Sequence, residues 1–269
     1  MRAIVDSFAR ILVTLGVEIS KAMRLKQTFV GPFLILMILL GGLLSQPVGR
    51  DGYQDYTYIA YVTPIALNNL GFLLLLIYAA TLISSELGAG SIRQILIRPI
   101  LRWEYVAAKF LLGMGYALLL SLLTGAGAWT VTYTLGDLHG ITFGGELLVS
   151  PESLLLAYLG GLALGLLPLW AGVALGIAIS VCTRSAVTAV SVTVGLWILI
   201  DLLKYPLGIE AYVFTTYLEG VWQVYNERCL GLDGAWTPMA YYTIGSSLAV
   251  IAVSFATAIT VLERRNITA

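Results

Sequence analysis

The chain has 269 residues, 59% of them hydrophobic and only 11% charged, with a mean hydropathy of +0.90. A soluble domain carries about a quarter charged residues, so the composition excludes an ordinary globular protein and points to a polytopic membrane protein. A formal net charge of zero leaves no bulk basic field for nucleic acid. Two cysteines, Cys182 and Cys229, are too few for a disulfide framework or a metal cluster.

Residues 1–27 carry charges throughout and no continuous apolar core of signal-peptide type. Within them, residues 3–24 predict an amphipathic helix. Ile4, Phe8, Ile11, Leu12, Leu15 and Ile19 fall on one side, with Asp6, Arg10, Glu18, Lys21 and Arg24 mostly on the other. Such a helix lies in a membrane interface, as a plain anchor or as one that also touches a partner.

Six uncharged runs follow, at Gln27–Gly49, Tyr56–Ser85, Phe110–Gly136, Ser153–Thr183, Ser185–Ile200 and Gly234–Leu262. A helix needs about 20 apolar residues to cross the hydrocarbon. Five runs meet that length, and Leu202 and Leu203 extend the short fifth, with Asp201 and Lys204 near the interface, where a lysine stem snorkels. The predicted fold class is an all-α polytopic membrane protein. It has an interface helix over 1–27 and a six-span transmembrane domain over 28–262, with spans at about 28–48, 57–84, 109–135, 153–182, 185–203 and 238–262. A tail follows over 263–269. Pro32 is expected in the first turn of span one, where its missing N–H costs little.

With both termini in the cytoplasm, all but Arg50, Lys204 and Arg228 of the 15 Lys and Arg residues fall inside. Most of the acidic residues fall outside. Dropping the fifth span would move Arg264 and Arg265 outside and weaken that asymmetry. This topology puts the two cysteines on opposite faces. Gly161/Gly165 and Gly172/Gly176 place small residues one turn apart for close helix approach, read as bundle packing rather than a dimer seam. Asn68 and Asn69, after Pro64 in span two, either hydrogen-bond between helices or line a polar path. The loop over 204–237 is rich in Tyr212, Phe214, Tyr217, Trp222, Tyr225 and Trp236, and predicts one or two short interfacial or re-entrant helices.

Several chemistries find no residues here. There is no phosphate-binding loop of the G-x-x-x-x-G-K-[ST] form. The single histidine, His139, excludes bis-histidine haem ligation and histidine-rich metal sites. The spans lack the chain of ionisable residues that marks proton-coupled transport.

The segment from Glu86 to Lys109 stands apart. Glu86 closes span two, and Gly88 and Gly90 permit a tight turn. Ser91 is placed to cap a short helix carrying Arg93 and Arg98, which Pro99 breaks. Arg102, Trp103 and Lys109 are expected at headgroup level, leading into span three. The pattern Glu86-x-Gly88-x-Gly90-Ser91, then Arg98-Pro99-x-x-Arg102-Trp103-x-Tyr105 and Lys109, resembles the first cytoplasmic loop of ABC transporter permeases of the type-two exporter class. The interface helix, the six spans and the long last outer loop resemble that class too. This chain has Gly88 and Gly90 where many of that class carry one glycine.

The resemblance implies a permease subunit in a bacterial or archaeal cytoplasmic membrane, not itself an enzyme. It would pair with a separate ABC ATPase that holds ATP and Mg, and with a second permease copy as a homodimer. Carried over, Glu86, Gly88, Gly90, Ser91 and Arg93 would form the docking finger of the coupling helix. Arg98, Pro99, Arg102 and Lys109 would set its return, and Asn68 and Asn69 would lie on the translocation path. Two readings from other classes stand beside it. One is a non-transporting scaffold or assembly factor. The other is a lipid-headgroup enzyme using Asp137, His139 and Glu146.

Overall fold

The computed structural model describes residues 2–46, 48–49, 55–91, 100–143 and 146–265. In chain order these form α1 (Arg2–Ala22), α2 (Lys26–Ser45), α3 (Tyr56–Pro64), a π-helical segment (Ile65–Gly71), α4 (Phe72–Gly88), α5 (Arg102–Leu135), β1 (Ile141–Phe143), β2 (Glu146–Val149), α6 (Pro151–Cys182), α7 (Ala186–Leu203), a 3-10 turn (Glu210–Tyr212), α8 (Thr216–Cys229) and α9 (Trp236–Arg264). Among the described residues six helices are long and apolar enough to cross a membrane, the second of them running through α3, the π segment and α4 without a break. The all-α fold class holds, with one addition that the sequence did not announce: β1 and β2 pair antiparallel as a small hairpin, burying Ile141 and Val149.

Helix α6 is central and packs on α4, α5, α7, α8 and α9. Its glycines explain why. A Cβ on Gly176 would stand 2.8 Å from Ala79 Cβ, and one on Gly172 would strike the Phe72 ring. Small residues therefore let α6 and α4 approach closely. Ser180 then ties the two helices together, donating to the Ala80 carbonyl (2.6 Å) and accepting from the Ser84 N–H (2.8 Å). Gly161 and Gly165 instead face Trp222 of α8. Both glycine pairs thus serve packing within one chain.

Pro32 is not in the first turn, because α2 begins at Lys26. A proline at this position leaves the carbonyl four residues earlier, that of Thr28, without its helical donor. The Tyr116 hydroxyl supplies one, at 3.2 Å. Glycine at position 31 makes room for it, since a Cβ there would collide with the Tyr116 oxygen.

The two ends of the bundle differ. At the end opposite α1, Tyr158 sits among Trp129, Trp222 and Tyr225, with ring centroids 5.7, 5.9 and 5.3 Å away. This aromatic nest seats α8 inside the bundle, where Val221, Tyr225 and Cys229 are fully buried. The long loop thus holds one short turn and one helix packed into the fold. Lys204 does not snorkel outward. It folds back on Asp201 at 2.5 Å and is buried. Asp55 fastens the remaining loops, accepting from the Gly49 N–H (2.8 Å) and the Asp137 N–H (2.5 Å).

Candidate functional site

At the α1 end, four charged side chains meet. The Lys109 ammonium lies 2.5 Å from Glu18 and 2.8 Å from Glu86. Lys21 reaches the same two carboxylates, at 2.7 and 3.3 Å. The Tyr105 hydroxyl donates to the other oxygen of Glu86 at 2.5 Å, and the Tyr105 ring lies 5.5 Å from the ammonium of Lys109. The side chains of Lys109 and Glu18 are only 2% and 5% exposed, and that of Glu86 is 16% exposed. Two carboxylates and two ammonium groups balance, with Lys21 completing the set from a partly exposed position, so the cluster carries no net charge. That matters because an uncompensated buried ion costs several kcal/mol. Burial works against the charge of Lys21, but its hydrogen bond to Glu18 and the nearby Glu86 outweigh this and hold its pKa above the usual value.

Three elements contribute to the cluster: α1 gives Glu18 and Lys21, α4 gives Glu86, and α5 gives Tyr105 and Lys109. The sequence reading placed Glu18 and Arg10 on the polar side of α1 and Lys109 at headgroup level, and paired none of them with another side chain. Helix α1 turns Ile11, Thr14, Glu18 and Ala22 toward the bundle and leaves Phe8, Leu12 and Ile19 exposed. Lys109 is drawn inward because the two carboxylates are there to receive it. Arg10 pairs with the fully buried Glu104 at 2.7 Å, and Glu104 also accepts from the Leu101 N–H at 3.0 Å. That last bond satisfies a backbone donor just ahead of α5.

The other expected loop residues divide in a simple way. Gly90 adopts a left-handed φ of 70°, the conformation for which glycine is best suited. Gly88 has a different reason: a Cβ there would stand 2.6 Å from the Arg184 carbonyl. Ser91 donates to the Glu86 carbonyl at 3.3 Å. Arg102 binds the C-terminal carbonyls of α9, Leu262 at 2.6 Å and Glu263 at 2.7 Å. Arg265 in turn donates to the Val181 carbonyl at the end of α6. Arg93, Arg98 and Pro99 lie outside the described residues.

Asn68 and Asn69 sit in the π segment at some distance along the chain from this cluster. Asn69 is exposed, whereas Asn68 is buried and its Nδ2 has no hydrogen-bond partner. The interhelical hydrogen bond offered as one role for these amides is therefore not made by that nitrogen. His139 pairs with Asp137 at 2.7 Å on an exposed loop. Among the described residues no group of His, Cys, Asp and Glu is placed to hold a metal ion.

A bundle of six candidate spans with an amphipathic helix ion-paired to the ends of spans two and three defines an all-α polytopic membrane protein. A protein-family model described as ABC-2 family transporter protein matches residues 14–199. The chain belongs to that family. It is a transporter permease subunit and a multi-pass membrane protein. The match takes in Glu18, Glu86 and Lys109 and runs into α7. A comparison with curated proteins returns no match.

Proposed function

We propose that the chain is the transmembrane subunit of an ATP-driven exporter, coupled through its 86–109 segment to a separate ABC ATPase that holds ATP and Mg. In this reading both termini and the α1 end face the cytoplasm of a bacterial or archaeal cell, and two copies of the permease enclose the path. The observation that carries it is the Lys109 bridge between Glu18 and Glu86. It joins α1 and the two helices flanking the loop into one body. A push delivered at residues 92–99 then moves three elements together instead of bending one.

Closure of an ATP-loaded ATPase pair would draw two such bodies together and rock the bundles between an inward and an outward state. Rigid-body motion of this kind needs only that ATP and cargo bind the two states unequally. Glu86 belongs to the base of the finger, and Arg93 is the residue assigned to the docking face. The test is co-purification with a Walker-motif ATPase. Arg93→Glu is expected to weaken association at least about tenfold, the loss of one charged interfacial contact, with the melting temperature unchanged. Undiminished ATPase capture and transport by Arg93→Glu would remove the docking assignment.

A further inference from the structure

Cavities flank span two toward both of its ends, one of about 390 Å³ against α8 and one at the α1 end. The latter measures about 320 Å³ and reaches from Lys21, Leu25 and Gln27 to Leu82, Ser85 and Glu86. A cavity of about 200 Å³ continues it along α4 to Leu74, and Gln27, Tyr78 and Thr81 line both. The two form one groove between the start of α2 and α4. Along its α4 wall Leu74, Ile77, Tyr78, Thr81, Leu82 and Ser85 recur at helical spacing, each at least partly exposed. From Leu74 to Ser85 a helix rises about 17 Å at 1.5 Å per residue, close to one leaflet of a hydrocarbon core about 30 Å thick.

The groove changes character along its length. Its deep part is walled by the apolar Val30, Leu74 and Ile77. The Tyr78 ring there is fixed, 4.4 Å from that of Tyr116, whose hydroxyl is held by the Thr28 carbonyl. The mouth is basic. Lys21 lines it with a side chain 45% exposed. Arg24 and Lys26 are exposed beside Leu25 and Gln27, and form no ion pair among the described residues. Together with Lys109 these cations outnumber the carboxylates of Glu18 and Glu86. Helix α2 starts behind Leu25, whose side chain caps none of its N–H groups, so the positive end of its dipole opens on the mouth. Where the two parts meet, the Gln27 amide and the Tyr78 hydroxyl have no hydrogen-bond partner among the described residues, and both residues keep accessible surface.

A matching ligand has an anionic head, a polar linkage and a tail about one leaflet long. We propose that this groove holds one phospholipid with an anionic headgroup. Its phosphate lies at the start of α2 beside Lys21, Arg24 and Lys26. Its ester oxygens meet the Gln27 amide, and one acyl chain runs along α4 to Leu74. Basic pockets between spans hold acidic headgroups by this chemistry, whereas a zwitterionic lipid would bring a cation to a mouth that already has a surplus. The lipid sets span one against span two beside Glu86 and displaces no ion pair. The inference requires only that the six helices cross a bilayer, and is independent of ATPase docking.

The test offers the full chain, delipidated in detergent, phosphatidylglycerol and phosphatidylcholine with the same acyl chains, and counts retained lipid by native mass spectrometry. Phosphatidylglycerol is expected to bind once per chain and at least about tenfold more tightly, the selectivity conferred by two or three basic residues. Glycerophosphoglycerol, the same headgroup without its chains, does not compete. Arg24→Gln with Lys26→Gln abolishes the selectivity and leaves the melting temperature of the lipid-free protein unchanged. Ile77→Trp or Leu74→Trp fills the deep part and weakens retention at least about tenfold. Leu156→Trp, at an exposed position of α6 toward the opposite end, does not.

Equal retention of the two lipids, full selectivity in the Arg24→Gln, Lys26→Gln chain, or undiminished retention in both groove tryptophan variants would each overturn the proposal. Competition by glycerophosphoglycerol would overturn it in favour of a soluble phosphate site. Tryptophan variants that block association of two chains and leave lipid retention intact would overturn it in favour of a protein interface.

Discussion

The α1 end and the opposite end solve the same problem with different chemistry. Both must fix helices in place where the chain leaves the bundle. The α1 end uses formal charge, with Lys109 shared by Glu18 and Glu86 and Arg10 bound to Glu104. The opposite end relies chiefly on rings and neutral hydrogen bonds, with Tyr158 held by Thr63 at 2.9 Å and packed on Trp222 and Tyr225. Ion pairs are geometrically specific and costly to break when buried. Aromatic packing is adaptable and leaves room for a cavity beside it. The charged end is therefore suited to transmitting displacement, and the aromatic end to shaping a space.

The comparison breaks most visibly at Lys109. Lys109→Met leaves two buried carboxylates facing each other with only Lys21 between them. About 3–5 kcal/mol of stability should be lost, read as a lower melting temperature in detergent. Adding Glu18→Gln should recover much of it. A Lys109→Met protein that melts with the wild type would show that the cluster does not hold this end together.

At the opposite end, burial pushes the Cys229 thiol up from its ordinary 9.0 to about 12. Its folded pKa lies above the unfolded one, so the folded state keeps a proton that the unfolded chain releases. Stability is fully present below pH 9 and falls as pH rises toward 12, by about 1.4 kcal/mol at pH 10. Comparing wild type with Cys229→Ala across pH 8–11 isolates this slope, which the substitution should remove. Parallel melting curves would contradict the assigned burial.

The smallest effect is expected from Tyr158→Phe. It removes a neutral hydrogen bond with Thr63 and keeps the ring stack, so the cost should be about 1 kcal/mol, again by thermal melting. A loss as large as that of Lys109→Met would erase the contrast between the two ends.

The spans were legible because hydrocarbon thickness acts on a single stretch of chain: an uncharged run either reaches across or does not. The glycine pairs of α6 were legible for a similar reason, since one-turn spacing is local. Glu18 was not. A helical wheel separates apolar from polar, but it does not distinguish a polar residue facing water from one facing a partner charge on another helix. The missed signal was the coincidence of Glu86 and Lys109 at the ends of apolar runs, each needing a counter-charge. The burial of α8 was hidden likewise. Trp222 and Tyr225 read as interfacial because their destinations, beside Gly161 and Gly165 for the one and against Tyr158 for the other, are supplied by another span.

Arg102 carries a further consequence. Its guanidinium joins the start of α5 to the last carbonyls of α9, and Arg265 continues the connection to the end of α6. The ends of three long helices are thus clasped into a collar just behind the loop. Such a collar has little compliance: a tug on the loop's return strand is shared among helices far apart in the chain before any one of them can yield. The second, third and last quarters of the sequence thereby become mechanically adjacent, and stiffness at this end is a property of the assembled ring and of no single helix.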